Sequence, residues 1–450
     1  MRAIPDPLYA HAQTIPDSMA IELRDGSRTK SLSYRELNDL VTRTASDANC
    51  SDFLKSVLSV LRGFRTQSTV DLSHPEFALP DMADLRQEDP VWHLEHVLFS
   101  VNTSGSTKAP KKVDVTTEQV FFSAMGATAR IGHHLSDRWY CPLPIFHIGG
   151  ISVLLRTLLL GTTSVFERFS PSSLARVLEQ GECTISSVVP TMIARLLKEY
   201  PALAPSPSFR ALIVGGAGLP NDLYRKAIAL NIPLCRSYGS SETAAMVATD
   251  APPPPGFKES QRGIPLLPFV SLKSKQERIT VSGPQVQSGH WHSNDMGTVT
   301  NRRVVISGRS DRVIVCGGRK INPQETEAAL LSHPGIRSAV CLPWADPEDW
   351  GTIMIGFIEP GEPPYLPLDQ IWKQLPSEQK PKAFVFAPIS ETQMGKITED
   401  NKKALLQKLE QIKSKAPVVG RCFSTTASFM EAAQSMCATT PEKLFSEENQ

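Results

Sequence analysis

The stretch Thr103-Ser104-Gly105-Ser106-Thr107-Lys108-Ala109-Pro110-Lys111-Lys112 follows the apolar run Val97–Val101 after one residue, Asn102. Hydroxyls, backbone amides and lysine ammonium groups placed after a strand form a concave nest that binds phosphate oxygens. Each charge-assisted hydrogen bond of this kind contributes about 1.5–3 kcal/mol. The stretch is not a Walker A loop, because no Gly-Lys-Ser/Thr triplet follows Gly105 at the required spacing. We therefore predict a phosphate-binding loop of another class, with a polar surface loop as the alternative.

Strands and helices alternate on either side of this loop. Ser33 and Glu36 form a capping box that opens a helix upstream. Downstream, a helix is predicted over Pro171–Glu179, with proline at its first position. Buried strands are predicted at Thr184–Val189 and Ala211–Val214, with another helix between them. Strands separated by helices of this length predict parallel sheets with helices packed on their faces.

The pattern changes after the proline run at residues 252–255, where short strands joined by turns follow. Further on, Asn322 is a predicted N-cap with Pro323 at the first helical position, and a second helix is predicted at Leu368–Leu375. Strands are expected at Ala339–Leu342, Ile353–Ile358 and Ala383–Ala387. We divide the chain into a large N-terminal domain over 1–308, a hinge at 309–311, a small α+β domain over 312–412, and a tail of unassigned role over 413–450.

Composition excludes several classes of protein. The 47 basic and 46 acidic residues leave a formal charge of +1, which argues against a nucleic-acid partner. The eight cysteines are scattered without a C-x-x-C pair, so buried free thiols are expected rather than disulfides. The most apolar stretch, Ile151–Gly161, is too short to span a bilayer and contains Arg156. We expect a protein of the reducing cytoplasm, with no integral membrane segment.

Four further segments join the phosphate loop in a recognisable order. They are Tyr238-Gly239-Ser240-Ser241-Glu242-Thr243, Ser293-Asn294-Asp295-Met296-Gly297, Gly308-Arg309-Ser310-Asp311-Arg312 and Met394-Gly395-Lys396-Ile397. In this order and spacing, the five segments resemble the adenylate-forming superfamily of acyl-CoA synthetases, luciferases and peptide-synthetase adenylation domains. The resemblance covers roughly residues 30 to 410. It implies an α/β fold: a large N-terminal domain of stacked α/β subdomains with a distorted small barrel, and a small mobile α+β C-terminal domain.

The resemblance also implies the reaction. A carboxylate attacks the α-phosphorus of ATP to give an acyl-adenylate and pyrophosphate, and the thiol of coenzyme A then attacks the adenylate. Because the first nucleophile is already an anion, catalysis must neutralise charge and align two anions. ATP, Mg²⁺, coenzyme A and a small carboxylic acid are therefore the expected ligands.

Residue roles carry over from the resemblance position by position. The β- and γ-phosphates are assigned to Thr103, Ser104, Gly105, Ser106, Thr107 and Lys111. The nucleotide base and its surroundings are assigned to Gly215, Gly216, Ala217, Tyr238, Gly239, Ser240 and Ser241. Glu242 is expected to bind Mg²⁺, and Asp295 with Arg309 to bind the ribose. Lys396 is expected to bridge the acid and the α-phosphate, and Asp311 to form the hinge. The coenzyme A side is assigned to Gly317, Gly318 and Arg319.

The acyl pocket is assigned to the segment Pro142–Gly150, which contains Phe146 and His147. This segment resembles o-succinylbenzoate–CoA ligases of menaquinone biosynthesis most. A dicarboxylate substrate requires a cation for its second carboxylate, and Arg156, nine residues after His147, is a candidate. A helix-packing arginine is the alternative. The histidines 133, 134, 290 and 292 lack metal-ligand spacing and are taken as structural.

The sequence departs from the superfamily pattern at three positions. Lys108 stands where the phosphate loop usually has Gly, Ser241 where Thr usually precedes the glutamate, and Asn294 where Gly usually precedes the aspartate. A non-glycine residue at a position with positive φ costs about 1–2 kcal/mol. Two alternatives to an o-succinylbenzoate ligase therefore stay open: an aryl- or medium-chain acyl-CoA ligase with the same chemistry, and a nucleotide-binding pseudoenzyme.

Overall fold

The computed structural model describes residues 2–26, 28–42, 51–72, 89–103, 111–254, 256, 263–316, 319–331, 333, 335–346, 351–360, 375–376, 379–381, 383–390 and 397–415. The phosphate-loop residues 104–107, the glycines 317 and 318, Lys396 and nearly all of the helix predicted at Leu368–Leu375 lie outside them.

The chain forms two compact units. The first comprises Met1–Leu219, Leu223–Ser293 and Gly297–Ile306. The second comprises Pro220–Asp222, Asn294–Met296 and the residues from Ser307 onward. The hinge expected at 309–311 stays a prediction.

The strands are β1 (Ala3–Pro5), β2 (Met19–Asp25), β3 (Arg28–Ser33), β4 (Val70–Asp71), β5 (Val91–His93), β6 (Val97–Thr103), β7 (Lys111–Thr116), β8 (Arg138–Cys141), β9 (Thr163–Glu167), β10 (Ile185–Val188), β11 (Ala211–Val214), β12 (Leu234–Ser240), β13 (Ala245–Thr249), β14 (Ile264–Pro265), β15 (Ser271–Lys275), β16 (Arg278–Ser282), β17 (His290–Thr300), β18 (Arg303–Arg309), β19 (Ile314–Cys316), β20 (Arg319–Ile321), β21 (Ile336–Asp346), β22 (Gly351–Pro360) and β23 (Ala383–Phe386). The described helices are α1 (Pro7–Thr14), α2 (Tyr34–Thr42), α3 (Asp52–Arg65), α4 (Thr117–Ile131), α5 (Ile148–Leu160), α6 (Pro171–Gln180), α7 (Pro190–Glu199), α8 (Asn221–Ala229), α9 (Pro323–Leu331) and α10 (Glu399–Lys415).

An eight-stranded sheet organises the first unit, in the order β13-β12-β11-β10-β8-β9-β2-β3. The strands from β12 to β2 are mutually parallel, and β13 and β3 pair antiparallel at the two edges. The helices α5, α6 and α7 follow β8, β9 and β10 in the chain, as a parallel sheet requires. The predicted parallel sheet is thereby confirmed, and the strand Ala211–Val214 has the predicted bounds.

Local signals in the sequence explain where several helices begin. Glu36 accepts from the Ser33 amide at 2.8 Å, and the Glu36 amide donates to the Ser33 hydroxyl at 3.3 Å, so the predicted capping box is present. Pro171 begins α6 behind the N-cap Ser170. Helix α5 is almost entirely apolar and is buried along Ile151–Leu158, as expected of a helix that packs inside the unit.

Besides the two-stranded sheet β1-β5, two smaller sheets complete the first unit. The first is antiparallel, in the order β14-β18-β17-β16-β15, and part of β17 and the end of β18 belong to the second unit. The other sheet, β4-β6-β7, contains the two strands that flank the predicted phosphate loop. The sequence predicts short strands joined by turns after residue 255, and strands are confirmed there; their antiparallel pairing is seen only in the structure.

The second unit contains the sheet β21-β22-β23 and the hairpin β19-β20. Alternate residues of β21 face opposite sides of the sheet. Ala339 and Cys341 pack with α9 residue Leu330, whereas Val340 and Leu342 pack in a second core that includes Leu405 of α10. The Asn322 side chain accepts a hydrogen bond from the Gln324 amide at 3.2 Å, as predicted for a helix cap.

The mixed α/β fold class is therefore confirmed. Five cysteines among the described residues are free, and four of these are buried. Of the helices that the structure describes, none combines the length and apolar character needed to cross a bilayer.

Candidate functional site

Three predicted segments emerge at the same edge of the main sheet. Strands β8, β11 and β12 are parallel, so their carboxyl ends lie together, at the edge where α/β proteins bind ligands. His147 follows β8, Gly215 follows β11, and Tyr238 lies near the end of β12. The structure thus brings the Phe-His segment and the predicted adenine-binding segments to one edge.

Two glycines at this edge leave room that a Cβ atom would fill. A Cβ at Gly215 would lie 2.5 Å from the Ser237 hydroxyl, which donates to the Val214 carbonyl at 3.0 Å. A Cβ at Gly239 would lie 1.8 Å from the carbonyl oxygen of Ala245. Glycine is therefore required at Gly239 for β12 to turn back along β13. Gly216 and Ala217 are exposed, and Gly216 has a φ of 82°.

Glu242 lies on a tight 3₁₀ turn, Ser241–Thr243, between β12 and β13. The buried Thr243 hydroxyl accepts from the Ser240 amide at 3.0 Å and is within hydrogen-bonding distance of the Ala245 carbonyl at 2.9 Å. Ala244 and Ala245 have φ values of 49° and 91°, in a region that alanine rarely adopts. Strain of this kind persists only where the surroundings fix the backbone, and it is concentrated at functional sites.

The side chain of Gln119, at the third position of α4, holds the Glu242 turn by a hydrogen bond. This side chain is 2% exposed, and its Nε2 donates to the carbonyls of Glu242 and Gln285, each at 3.1 Å. The fully buried Gln285 in turn donates to the Phe122 carbonyl at 3.0 Å. Sequence reasoning missed this contact, although Thr116-x-x-Gln119 is a capping-box signature. Gln285 has no comparable local signal.

The predicted phosphate loop connects two paired strands. Thr103 at the end of β6 is the register partner of Lys111 at the start of β7, so residues 104–110 join adjacent strands. Lys111 is exposed. Lys112 forms an exposed ion pair with Asp71 at 2.9 Å, and the pKa of Lys112 is raised by its hydrogen bond to that carboxylate.

His147 is the N-cap residue of α5, and its amide donates to the Pro144 carbonyl at 3.2 Å. The Phe146 and His147 rings are 4.7 Å apart. A Cβ at Gly150 would lie 2.1 Å from the Pro144 carbonyl oxygen, so glycine is needed for this segment to fold back on the helix. His147 is half-buried.

Arg156 is buried inside the first unit, with 2% of its surface exposed. Its guanidinium carbon lies 4.7 Å from the centroid of the Trp139 ring, in a cation–π contact. Burial lowers the pKa of Arg156 to about 10. Within the described residues no carboxylate forms an ion pair with it, and its Nε has no hydrogen-bond partner. The sequence indicates Arg156 as a candidate for the acyl pocket, but it does not indicate that Arg156 is buried.

A charged cluster in the second unit contains the predicted ribose and hinge residues. Arg309 forms a two-pronged contact with Asp311, Nε to Oδ1 at 2.9 Å and Nη2 to Oδ2 at 2.6 Å. Its Nη1 donates to Asp295 at 3.2 Å. The Asn294 side-chain amide also donates to Asp311, at 3.3 Å. Three residues predicted separately, Asp295, Arg309 and Asp311, are therefore in direct contact. Arg319 lies at the start of the exposed strand β20.

Comparison with known proteins shows the family of this chain. The sequence pattern of the family described as AMP-binding enzyme matches residues 53–290. The 2-succinylbenzoate–CoA ligase of Bacillus licheniformis is 32% identical over 65% of this chain and 67% of its own length. The corresponding enzyme of Geobacillus kaustophilus is 31% identical over 59% of each chain. The chain thus spans about three fifths of the length of several curated relatives that it matches.

Solved structures share the fold. The o-succinylbenzoate coenzyme A synthetase of Bacillus subtilis in complex with AMP has a TM-score of 0.74 at 21% identity, over 89% of this chain and 98% of that chain. The same synthetase with ATP and a magnesium ion has a TM-score of 0.74 at 23% identity, over 89% of this chain and 100% of that chain. Because the family pattern covers more than half of the sequence, the chain belongs to the AMP-binding enzyme family.

Proposed function

We propose that this protein is an ATP-dependent carboxylate–CoA ligase that acts on o-succinylbenzoate in the cytoplasm, within menaquinone biosynthesis. The observation that carries the proposal is that Gly215 follows β11, while Tyr238 and the Glu242 turn lie at the end of the neighbouring parallel strand β12. Such an edge is where nucleotides bind in α/β folds. The choice of substrate rests on the curated relatives, which are named 2-succinylbenzoate–CoA ligase.

In the first step a carboxylate oxygen of the acid attacks the α-phosphorus of ATP. A new O–P bond forms, the bond between the α-phosphorus and the bridging oxygen breaks, and pyrophosphate leaves with the electron pair. No proton moves, so the protein acts by positioning and by charge neutralisation. Lys111 and the 103–107 segment hold the terminal phosphates, Asp295 accepts from the ribose hydroxyls, and Lys396 bridges the carboxylate and the α-phosphate.

Glu242 suits a role as ligand to a hard cation. Its side chain is half-exposed at the sheet edge and forms no ion pair with any described residue, while its main chain is held by Gln119. Carboxylate oxygens are the protein ligands that Mg²⁺ prefers. When bound, Mg²⁺ would neutralise charge on the phosphates of ATP.

In the second step the thiol of coenzyme A attacks the acyl carbon of the adenylate. The C–S bond forms, the bond to the AMP oxygen breaks, and the thiol proton passes to solvent. Lys396 must withdraw before the thiol can approach, so we place a hinge at Asp311 about which residues 312–412 rotate. Arg309 contacts both Asp295 and Asp311. This supports a hinge at Asp311, because rotation about that residue would alter the charged contact.

Substitution of Lys396 tests the two-step assignment. Lys396→Ala should abolish acid-dependent pyrophosphate release from ATP, yet still convert supplied acyl-adenylate and coenzyme A to thioester. Lys403→Ala, which removes an exposed lysine of the same unit, is the matched control and should keep both activities. Loss of both steps in Lys396→Ala alone would contradict the assignment.

A panel of acids tests the substrate. Pyrophosphate release by the wild-type protein should be confined to o-succinylbenzoate among o-succinylbenzoate, benzoate, a coumarate and an octanoate, with the CoA thioester as product. Release with another acid would keep the mechanism and change the substrate. ATP binding without release across the panel would favour a nucleotide-binding pseudoenzyme.

A further inference from the structure

A hydrogen bond in the second unit joins two residues that lie on opposite sides of the proposed hinge. The side-chain amide of Asn322, directly before α9, donates to the main-chain carbonyl of Ser307, near the end of β18. Ser307 precedes the hinge residues 309–311 in the chain, and Asn322 follows them. The bond therefore connects the two ends of the segment that contains the hinge.

The two ends of the Asn322 side chain have different roles. Its oxygen accepts from the Gln324 amide at 3.2 Å and so caps α9, whereas its nitrogen donates to Ser307 and lies 3.3 Å from a carboxylate oxygen of Glu325. Capping alone does not require the nitrogen, because aspartate and serine cap helices as well as asparagine does. The bond to Ser307 is therefore a separate property of asparagine at this position.

Close packing accompanies this bond. Gly308 is buried, and a Cβ at that position would lie 2.5 Å from the side-chain nitrogen of Asn322. Contacts this short between a Cβ and another heavy atom do not occur in folded proteins without a shift of one partner. A residue larger than glycine at Gly308 would therefore displace the Asn322 amide from the Ser307 carbonyl.

The chain that follows the hinge is fixed to the body of the second unit. Arg312, the first residue after the hinge, donates through Nη1 to a Glu327 carboxylate oxygen at 3.0 Å. The other oxygen of the buried Glu327 accepts from Nη2 of Arg312 and from the Cys341 amide of β21 at 2.8 Å. A two-pronged ion pair of this kind is strong and fixes geometry. Arg312, α9 and β21 therefore move together.

A rotation at the hinge would separate Asn322 from Ser307. Hinges absorb large changes of φ and ψ in a few residues, while the elements on either side move as rigid bodies. Asn322 would move with α9, whereas Ser307 would remain with β18. An N–H···O hydrogen bond needs its heavy atoms within about 3.2 Å, so the bond exists in one orientation of the hinge and breaks in the other.

We propose that Asn322 is a positioning residue of the two-step reaction, and that its bond to Ser307 stabilises one of the two orientations of residues 312–412. The proposal rests on the proposed ligase function, in which the hinge turns between adenylation and thioester formation. A contact made in one orientation alone shifts the balance between the two. Asn322 thus sets the relative rates of the two steps through the hinge.

Asn322→Asp and Asn322→Ser test the proposal, because both keep the helix cap and both lose the bond to Ser307. Aspartate has the shape of asparagine but no donor, whereas serine is shorter and adds no charge. Asn301→Asp is the matched control, since it adds the same charge at an exposed position in the turn between β17 and β18. Asn301 has a φ of 51°, which aspartate also adopts.

The rates of the two steps are measured separately in single turnover. Adenylation is followed by pyrophosphate release from ATP with o-succinylbenzoate, and thioester formation is followed from supplied acyl-adenylate and coenzyme A. We expect both Asn322 variants to change the ratio of the two rates by about 5-fold in the same direction, the effect of one lost hydrogen bond. Asn301→Asp should keep the wild-type ratio. Equal losses in both steps would reduce Asn322 to a structural role and overturn the proposal.

Cleavage by trypsin separates this proposal from the proposed function, because it needs no substrate. Arg309 and Arg312 lie in the segment between Ser307 and Asn322. We expect both Asn322 variants to be cleaved after these arginines about 5-fold faster than the wild-type protein, at the wild-type melting temperature, since the segment opens more often without the bond. Faster cleavage supports the proposal even if no acid yields thioester. Wild-type cleavage rates in both variants would refute it even if the ligase activity is found.

Discussion

The side-chain amide of Gln119 donates to the main-chain carbonyl of Glu242 at 3.1 Å, and this contact joins the first turn of α4 to the turn that carries the proposed Mg²⁺ ligand. The same nitrogen donates to the Gln285 carbonyl, and the Gln119 Oε1 accepts from the Thr116 amide at 2.9 Å. Gln119 thus uses both ends of its amide to fix three main-chain segments. Because Ala244 and Ala245 are strained, the Glu242 turn depends on such external contacts.

Gln119→Met should therefore weaken Mg²⁺ binding. Methionine fills the same space but cannot donate, so the Glu242 carbonyl loses its partner and the turn can relax. We expect the Mg²⁺ concentration for half-maximal pyrophosphate release to rise about 10-fold, which corresponds to a loss of about 1.4 kcal/mol in the free energy of Mg²⁺ binding. The thioester step from supplied adenylate should change little. The measurement is a Mg²⁺ titration of the adenylation rate.

Gln287→Met is the matched control for this variant. Gln287 also donates to a main-chain carbonyl, that of Asp114 at 3.2 Å, but it is exposed. Its Mg²⁺ requirement should equal that of the wild-type protein. A Gln119→Met protein with lowered stability but an unchanged Mg²⁺ requirement would reduce Gln119 to a structural role.

Gly239→Ala should disrupt the nucleotide site more than any substitution on the surface. The added methyl group would lie 1.8 Å from the Ala245 carbonyl oxygen, so β12 and β13 must separate at the Glu242 turn. Overpacking of this kind costs about 1–3 kcal/mol. We expect a lower melting temperature together with at least a 10-fold loss of ATP affinity, measured by thermal unfolding and calorimetry.

Gly218→Ala provides the comparison for Gly239→Ala, since an added Cβ there meets no atom within 4 Å. Its melting temperature should be that of the wild-type protein or slightly higher, because alanine lowers the entropy of the unfolded chain. Wild-type ATP affinity and stability in Gly239→Ala would show that the two strands separate without cost, contrary to our expectation.

The fold was predictable where local signals agree with tertiary structure. The capping box at Ser33, the proline at the start of α6 and the strand Ala211–Val214 were all found from the sequence. Apart from that capping box, most of the first hundred residues was not predictable, because β2 joins the main sheet by pairing with β9, a partner far along the chain, and β3 joins it only through β2. Nothing in the local pattern of β2 specifies that partner.

For the candidate site, too, the sequence does not reveal contacts between residues that are distant in the chain. Asp295, Arg309 and Asp311 belong to recognisable segments whose roles the sequence predicts, but only the fold shows that they touch. Gln285 has no motif, because its role depends on burial beside residues that are distant in the chain. Arg156 was identified by its spacing from His147, whereas the lack of a counter-ion among the described residues is a property of packing.

Asp295→Asn should weaken nucleotide binding. The proposed ribose contact uses a charged acceptor, and asparagine also loses the ion pair with Arg309 at 3.2 Å. Replacing charge-assisted hydrogen bonds by neutral ones should reduce AMP affinity about 10- to 100-fold. Calorimetric titration with AMP measures it, and Asp400→Asn, an exposed aspartate of the same unit, should bind AMP as the wild-type protein does. Unchanged affinity in Asp295→Asn would remove Asp295 from the ribose site.

Asp137 makes stability depend on pH on the acid side. Burial alone would raise the pKa of this carboxyl, but hydrogen bonds from Arg210, the His134 amide and Thr184 outweigh burial and lower it below its usual range. A carboxyl whose native pKa is lowered stabilises the fold fully above the pKa of the unfolded chain. That stabilisation is lost as the pH falls through the native pKa.

Asp137→Asn should remove this contribution while keeping the side-chain volume. Arg210 then loses its ion pair at 2.6 Å, and since it stays partly exposed we expect a loss of about 2–3 kcal/mol at pH 7, below the range for a fully buried pair. The difference from the wild-type protein should shrink below about pH 4, where the wild-type carboxyl also becomes protonated. Urea unfolding at pH 7, 5 and 3.5 measures both effects. Asp17→Asn, at an exposed ion pair with Arg35, should have nearly the wild-type free energy of unfolding at every pH. If the loss of stability in Asp137→Asn instead grows as the pH falls, the native pKa of Asp137 is not lowered.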